Sequence, residues 1–296
     1  MNRPGDQADD LMQIGITLGG DGTPLKYRRW QHASPKCHVV MVHGVISHGG
    51  WYVQSCDRLH AAGFGVDFLD RRGSGLNEED RGDVDRFETW IDDLRAHVAS
   101  LRQRSPNVPI VLFGISWGGK LACEFVKRHP DLVASLALIC PGLFAKQFPS
   151  AMKHRVLAGL KAIGLGSLTF PIPLRDPALF TNVQRWQSYV RDDERTLRRV
   201  TVRFALADRD LTRLACAHPE RIRVPTWLAL AGRDRIIKNE PVRRYVDKIN
   251  HPVRLTTMYP ESAHTFEFDP DPTGYVNDCI EWIERSLNES ACSTGT

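Results

Sequence analysis

Apolar residues along this chain gather into short runs separated by polar, glycine- and proline-rich breaks. His38-Val39-Val40-Met41-Val42, Gly65-Val66-Asp67-Phe68-Leu69, Ile110-Val111-Leu112-Phe113 and Leu136-Ala137-Leu138-Ile139 are near-continuous runs of strand length. Thr226 to Leu230 and Val253 to Met258 repeat the pattern. Strands buried on both faces look like this. Gln13 to Leu18 and Leu25 to Trp30 alternate instead, with Gly19-Gly20-Asp21-Gly22-Thr23 between them, and predict an antiparallel edge hairpin. Between the runs the period changes. Phe87, Ile91, Leu94, Val98 and Leu101 mark one face of a helix over about 86–103, and Leu121, Phe125 and Val126 mark another. Strand, helix, strand in succession predicts an α/β fold with a mostly parallel sheet.

The rhythm breaks after Ile139. Residues 142–222 read as helical, with loops at Pro171-Ile172-Pro173 and Asp176-Pro177, and the strand pattern resumes at Val224-Pro225. A helical insertion between two sheet strands is what a lid looks like. The expected layout is a core of 11–141 and 223–287, a lid over 142–222, and flexible ends at 1–10 and 288–296. Within the insertion, Met152, Val156, Leu160 and Ile163 form an apolar stripe, with Lys153, His154, Arg155 and Lys161 on other faces. This stripe is expected to pack on the domain core. The alternative is an interfacial helix that touches a membrane surface transiently and admits acyl chains.

Composition narrows the function classes. The 296 residues suffice for one large α/β domain, and 25% charged with 42% hydrophobic residues is ordinary globular usage. A formal net charge of +4, without a basic stripe, speaks against a nucleic-acid partner. The seven cysteines form no C-x-x-C pair, which fits reduced thiols better than a zinc ribbon or a disulfide framework. Met1 to Asp10 lacks the apolar core of a signal peptide, and no apolar stretch is long enough to cross a membrane. The expectation is a soluble, cytoplasmic protein; its oligomeric state is not legible.

The chemistry centres on Gly114-Ile115-Ser116-Trp117-Gly118, placed between the strand at 110–113 and the helix that starts near Gly119. This is the G-x-S-x-G nucleophile elbow in the context it requires. A tight strand-to-helix turn lifts the serine oxygen clear of the sheet, and small neighbours let the helix pack close. The turn also aims the Trp117 N–H at a developing oxyanion. Gly114 to Lys120 also reads G-x-x-x-x-G-K, but a phosphate-binding loop needs Ser or Thr next, and Leu121 cannot ligate a magnesium ion.

Serine needs a base, and the base an orienting acid. In chain order the acid precedes the histidine. His264 follows the last predicted strand by the short loop Tyr259-Pro260-Glu261-Ser262-Ala263, whereas His251 precedes that strand, at the wrong end of the sheet. Asp234 follows the preceding strand at Ala231-Gly232-Arg233; Asp208 and Asp210 lie before it. Ser116, Asp234 and His264 are therefore the expected catalytic triad. Val42-His43-Gly44-Val45 offers a second oxyanion donor, the N–H of Val45, with His43 holding that loop. His48 is a candidate substrate contact. Phe144, Phe148 and Phe170, with Trp117, suit an apolar acyl pocket, or equally a lid core. No H-E-x-x-H motif or second carboxylate cluster suggests a metal, and no cofactor is expected.

These residues resemble a known family. His43-Gly44-Val45-Ile46-Ser47-His48 is similar to the H-G-x-x-x-H oxyanion loop of the monoacylglycerol lipases and lysophospholipases, a serine aminopeptidase-like group within the α/β-hydrolase superfamily. Asp70 to Asn77, Arg81 to Val84, Phe87 to Leu94, the elbow, Gly232-Arg233-Asp234 and Ala263-His264 follow in register, so the resemblance covers roughly 15–285. It implies an α/β-hydrolase fold and hydrolysis of a small-molecule carboxylic ester, a monoglyceride, lysophospholipid or similar acyl ester, through an acyl-enzyme. It carries Ser116, Asp234 and His264 to the triad and Val45 and Trp117 to the oxyanion hole. Ile46, Ser47 and Asn77 depart from the family's usual Gly, Glu and Ser, near the site mouth in the family, which bears on substrate choice. An aminopeptidase or amidase is the alternative; Asp192-Asp193-Glu194 could hold a substrate amine. A non-enzymatic binding protein on this fold is a third reading, against which the complete triad stands.

Overall fold

The computed structural model describes residues 11–147 and 151–293. The chain opens with a hairpin, β1 (Met12–Leu18) and β2 (Pro24–Trp30), whose antiparallel register pairs Met12 with Trp30 and Leu18 with Pro24. There follow β3 (His38–Val42), α1 (Val53–Ala61), β4 (Gly65–Leu69), α2 (Phe87–Arg104), β5 (Ile110–Ile115), α3 (Trp117–Arg128) and β6 (Ser135–Ile139). After the insertion come β9 (Thr226–Ala231), α7 (Asn239–Val246), β10 (Arg254–Tyr259) and α8 (Thr273–Ser293). The strands lie in the order β1-β2-β4-β3-β5-β6-β9-β10, and every pair from β4 onward is parallel.

The continuous apolar runs sit in the middle of this sheet. Every residue of β5, β6 and β9 is buried, because helices cover both faces. Trp30, Trp90, Trp227 and Trp282 are the largest fully buried side chains. β5 runs two residues beyond its predicted end, since Gly114 and Ile115 still pair with Leu138 and Ile139. β10 departs from expectation. It is the sheet's edge strand and leaves Leu255 and Met258 exposed, because apolar pattern alone does not say which strand ends the sheet. The C-terminal end also departs: α8 continues through Ser293, where a flexible segment from 288 was expected.

Between β6 and β9, which are direct neighbours in the sheet, the chain inserts α4 (Ala151–Ala162), β7 (Thr169–Pro171), α5 (Gln184–Asp192), β8 (Arg199–Thr201) and α6 (Val202–Cys216). β7 and β8 form a separate antiparallel ribbon that the sequence reading did not anticipate. The α4 stripe does not pack on the domain core. Met152, Val156 and Ile163 are 68%, 56% and 72% exposed, and Leu157 is the residue of that helix buried against Val202 and Leu206 of α6. The helix is rotated away from its most apolar face because its inner neighbour is the narrow ribbon and α6, not the sheet.

One buried carboxyl couples the core to the loop after β10. Glu267 is buried against the N-terminal part of α1, where the Ser55 amide donates to it at 3.1 Å and the Ser55 hydroxyl also bonds it. Burial pushes its pKa from the ordinary 4.5 up to about 7. Between those values the folded chain holds a proton that the unfolded chain releases, so this group makes stability fall as pH rises from about 4.5 to 7. Glu267→Gln is expected to remove that slope. Urea midpoints measured from pH 4 to 8, in wild type and variant, check this; curves that remain parallel across the range contradict it.

Candidate functional site

A crevice forms where neighbouring strands send their connections to opposite sides. β3 continues to β4 on one side of the sheet, and β5 continues to β6 on the other, so the carboxyl ends of β3 and β5 flank an opening. Ser116 stands at the end of β5 with φ 52° and ψ −118°, a conformation costly for a residue with a Cβ. The surroundings over-determine it. Its N–H donates to the Ile139 carbonyl at 2.8 Å, and its carbonyl accepts from Gly119 and Gly142 at 2.9 and 2.6 Å. The flanking glycines are obligatory for packing. A Cβ on Gly114 would lie 2.7 Å from that of Ala122, and one on Gly118 would collide with the Val42 carbonyl oxygen.

The loops after β9 and β10 deliver the other two groups. His264 Nε2 lies 2.8 Å from Ser116 Oγ, and His264 Nδ1 lies 2.7 Å from Asp234 Oδ2. A carboxylate only accepts, so Nδ1 carries the proton and the Nε2 lone pair faces the hydroxyl. Asp234 Oδ1 accepts from the Ile236 and Ile237 amides at 2.7 and 2.8 Å. Burial opposes ionisation of Asp234, but the imidazole and these two amides outweigh it and hold the carboxyl below its ordinary value. Cys140 approaches the same pair, its donor atom within 4.8 Å of theirs. Burial keeps that thiol well above its ordinary pKa, and Asp234 and His264 are committed to each other.

Val45, Ser116 and Trp117 share the wall of a cavity of about 180 Å³, lined further by Leu157, Phe170 and Phe204 and mostly apolar. Trp117 is the first residue of α3, so its N–H has no acceptor within the helix. The β3 loop approaches so closely that a Cβ on Gly44 would sit 3.2 Å from that of Ser116. His43 is buried and works as a brace. The Arg71 N–H donates to its Nε2 at 3.0 Å, so Nδ1 carries the hydrogen and meets the Gly44 carbonyl at 2.7 Å. Burial depresses its pKa well below the ordinary range, in keeping with a neutral ring. Asp70 accepts from the Gly49 and Leu76 amides at 2.7 and 2.8 Å and from Arg28 at 2.6 Å, joining three segments behind the loop.

Two sequence candidates stand elsewhere. His48 does not line the cavity; its Nδ1 accepts from Gly50 and its Nε2 donates to Asp193 at 2.7 Å. Phe144 packs toward Tyr245, ring centroids 6.4 Å apart, also off the cavity wall. Phe148 lies outside the described residues. Ile46 and Asn77 are buried within the scaffold rather than at a mouth. The Ile46 carbonyl accepts from Leu197 at 2.9 Å, and Asn77 bridges Lys26 and the Asp70 carbonyl.

Three residues near the site take roles that the sequence did not assign to them. Asp208 of α6 accepts from the Trp117 indole at 2.6 Å and from Lys120 at 2.5 Å. Asp193, at the end of α5, takes both His48 and the Trp51 indole, the latter at 2.8 Å. Arg71 reaches the Gly44 and Val45 carbonyls. No local pattern marks these side chains, since their partners lie 26 to 145 residues away.

Known proteins carry the same arrangement of elements. The serine aminopeptidase S33 family matches residues 33–271. The monoacylglycerol lipase of Mycolicibacterium smegmatis is 24% identical over 274 residues, 91% of this chain and 96% of that protein. The human monoglyceride lipase is 32% identical over 146 residues, 48% of this chain and 46% of that protein. The crystal structure of the Paleococcus ferrophilus monoacylglycerol lipase superimposes with a TM-score of 0.79 at 24% identity, covering 89% of this chain and all of that one (100%). The match spans the elbow, the acid loop and the base loop together, and on that ground the chain belongs to the serine aminopeptidase S33 family of α/β-hydrolases.

Proposed function

We propose that this protein is a serine hydrolase that cleaves a carboxylic ester with an acyl chain, of the monoglyceride or lysophospholipid type. The observation that carries the reading is the hydrogen-bonded chain Asp234–His264–Ser116 opening onto a mostly apolar cavity. His264 takes the serine proton as Oγ attacks the ester carbonyl. The Val45 and Trp117 amides hold the tetrahedral oxyanion, and Asp234 stabilises the imidazolium. The imidazolium then protonates the leaving alcohol, and water activated by His264 releases the acid.

Ester rather than amine-bearing substrate is favoured by the carboxylates available. Asp193 is engaged by His48 and Trp51, and Asp208, on the cavity wall, is engaged by Lys120 and Trp117. Asp193 is occupied by these bonds and the charge of Asp208 is met by Lys120, which disfavours both as holders of the free substrate amine that an aminopeptidase would require.

In this reading 11–141 and 223–287 form the catalytic core and 142–222 its lid. The lid presents Met152, Val156 and Ile163 outward, beside Lys153, Arg155 and Lys161, a combination suited to brief contact with an anionic lipid surface. No helix among the described residues is long and apolar enough to cross a membrane. The described cysteines are free thiols, which supports a reducing, cytoplasmic setting.

A fluorophosphonate probe is expected to label wild type and not Ser116→Ala, and equal labelling of both would sink the assignment. Asp234→Asn should keep the fold while lowering kcat on a p-nitrophenyl ester by about 10⁴-fold, because the amide favours the wrong imidazole tautomer. Substituting Met152 and Ile163 together by Glu should slow hydrolysis of vesicle-borne esters and spare soluble short-chain ones. Equal rates on vesicles would remove the membrane-contact reading.

A further inference from the structure

Arg71 is 5% exposed, yet among the described residues no carboxylate pairs with it. Asp70, its chain neighbour, is taken by Arg28, and Asp208 by Lys120. Its Nη2 donates instead to two carbonyls, Gly44 at 3.1 Å and Val45 at 2.7 Å, and its guanidinium carbon lies 4.4 Å from the centroid of the Trp117 ring. Nε and Nη1 are buried without a hydrogen-bond partner among the described residues. Packing alone does not account for this choice. A buried charge without a counter-ion is expensive, and an apolar side chain of similar length would fill the space at lower cost.

What the guanidinium does that no apolar group could is bond two carbonyls of the β3 loop while standing over the ring of Trp117, so it contacts both residues whose amides are the proposed oxyanion donors. Its edge fixes the peptide planes at Gly44 and Val45, and so the direction of the amides on that loop. Its guanidinium carbon stands over the indole of Trp117, whose ring N–H donates to Asp208 at 2.6 Å. We propose that Arg71 is a positioning residue for the oxyanion site, a single clamp that sets the β3 loop and the elbow in mutual register. The proposal rests on the ester-hydrolase reading above. A planar fork suits the task, because Lys offers one ammonium that cannot hold the carbonyls and stack on the ring together.

The test compares wild type, Arg71→Met and Arg71→Lys on a soluble short-chain p-nitrophenyl ester, with thermal midpoints, fluorophosphonate inactivation rates and added guanidinium ion. Misdirected donors are expected to lower kcat of Arg71→Met by about 10- to 100-fold. KM should stay within about twofold, since the ground-state ester makes little use of those amides. Phosphonate inactivation should slow by the same factor, because it passes through the same kind of anionic transition state, and guanidinium ion should restore part of the rate. Arg71→Lys should fall between the two, and it carries the test should Arg71→Met not fold. Wild-type kcat in the variants overturns the clamp. So does a kcat loss matched by a lowered midpoint, a changed KM and no response to guanidinium, which is the mark of a structural role. A wild-type protein that turns over no ester and takes no phosphonate overturns the hydrolase reading and the clamp with it; an active wild type with unaffected variants overturns the clamp alone.

Discussion

The buried imidazole of His264 is held ready as a base by the carboxylate that stands behind it, Asp234. Two backbone amides and the His264 ring satisfy it and favour its ionised form against the opposing effect of burial. Its ionisation sets the tautomer of His264, and the tautomer leaves Nε2 free to take the serine proton. The sheet serves this one relation. β9 and β10 lie side by side so that their loops place acid and base in contact, and β5 brings the strained serine to meet them.

The opposite wall of the crevice is organised by a second buried polar network. His43, Asp70 and Arg71 bind backbone groups of the loop after β3 rather than substrate, and each does so from a fully or nearly fully buried position. Buried side chains bonded to backbone groups in this way restrict a loop to one conformation. The insertion is tied into the same network. Asp193 grips His48 and Trp51, and Asp208 grips Trp117 and Lys120, so the inserted segment is fastened both to the loop after β3 and to α3. α4, which precedes both fastenings in the chain, buries Leu157 against α6 and leaves Met152 and Val156 exposed.

The sequence by itself determined the succession of the central strands along the chain, the elbow, and which of eleven histidines and many acids follow the right strands. Those signals are local: continuous apolar runs, a glycine-flanked serine, a short loop after a strand. Only the tertiary structure decided that β10 is an edge, that α4 turns its stripe outward, and that His48 and Phe144 leave the cavity wall. It alone decided that Arg71, Asp193 and Asp208 gather around the site. These outcomes depend on which surfaces meet across more than twenty residues of chain, and a side chain's partner at that separation leaves no trace in the periodicity around it.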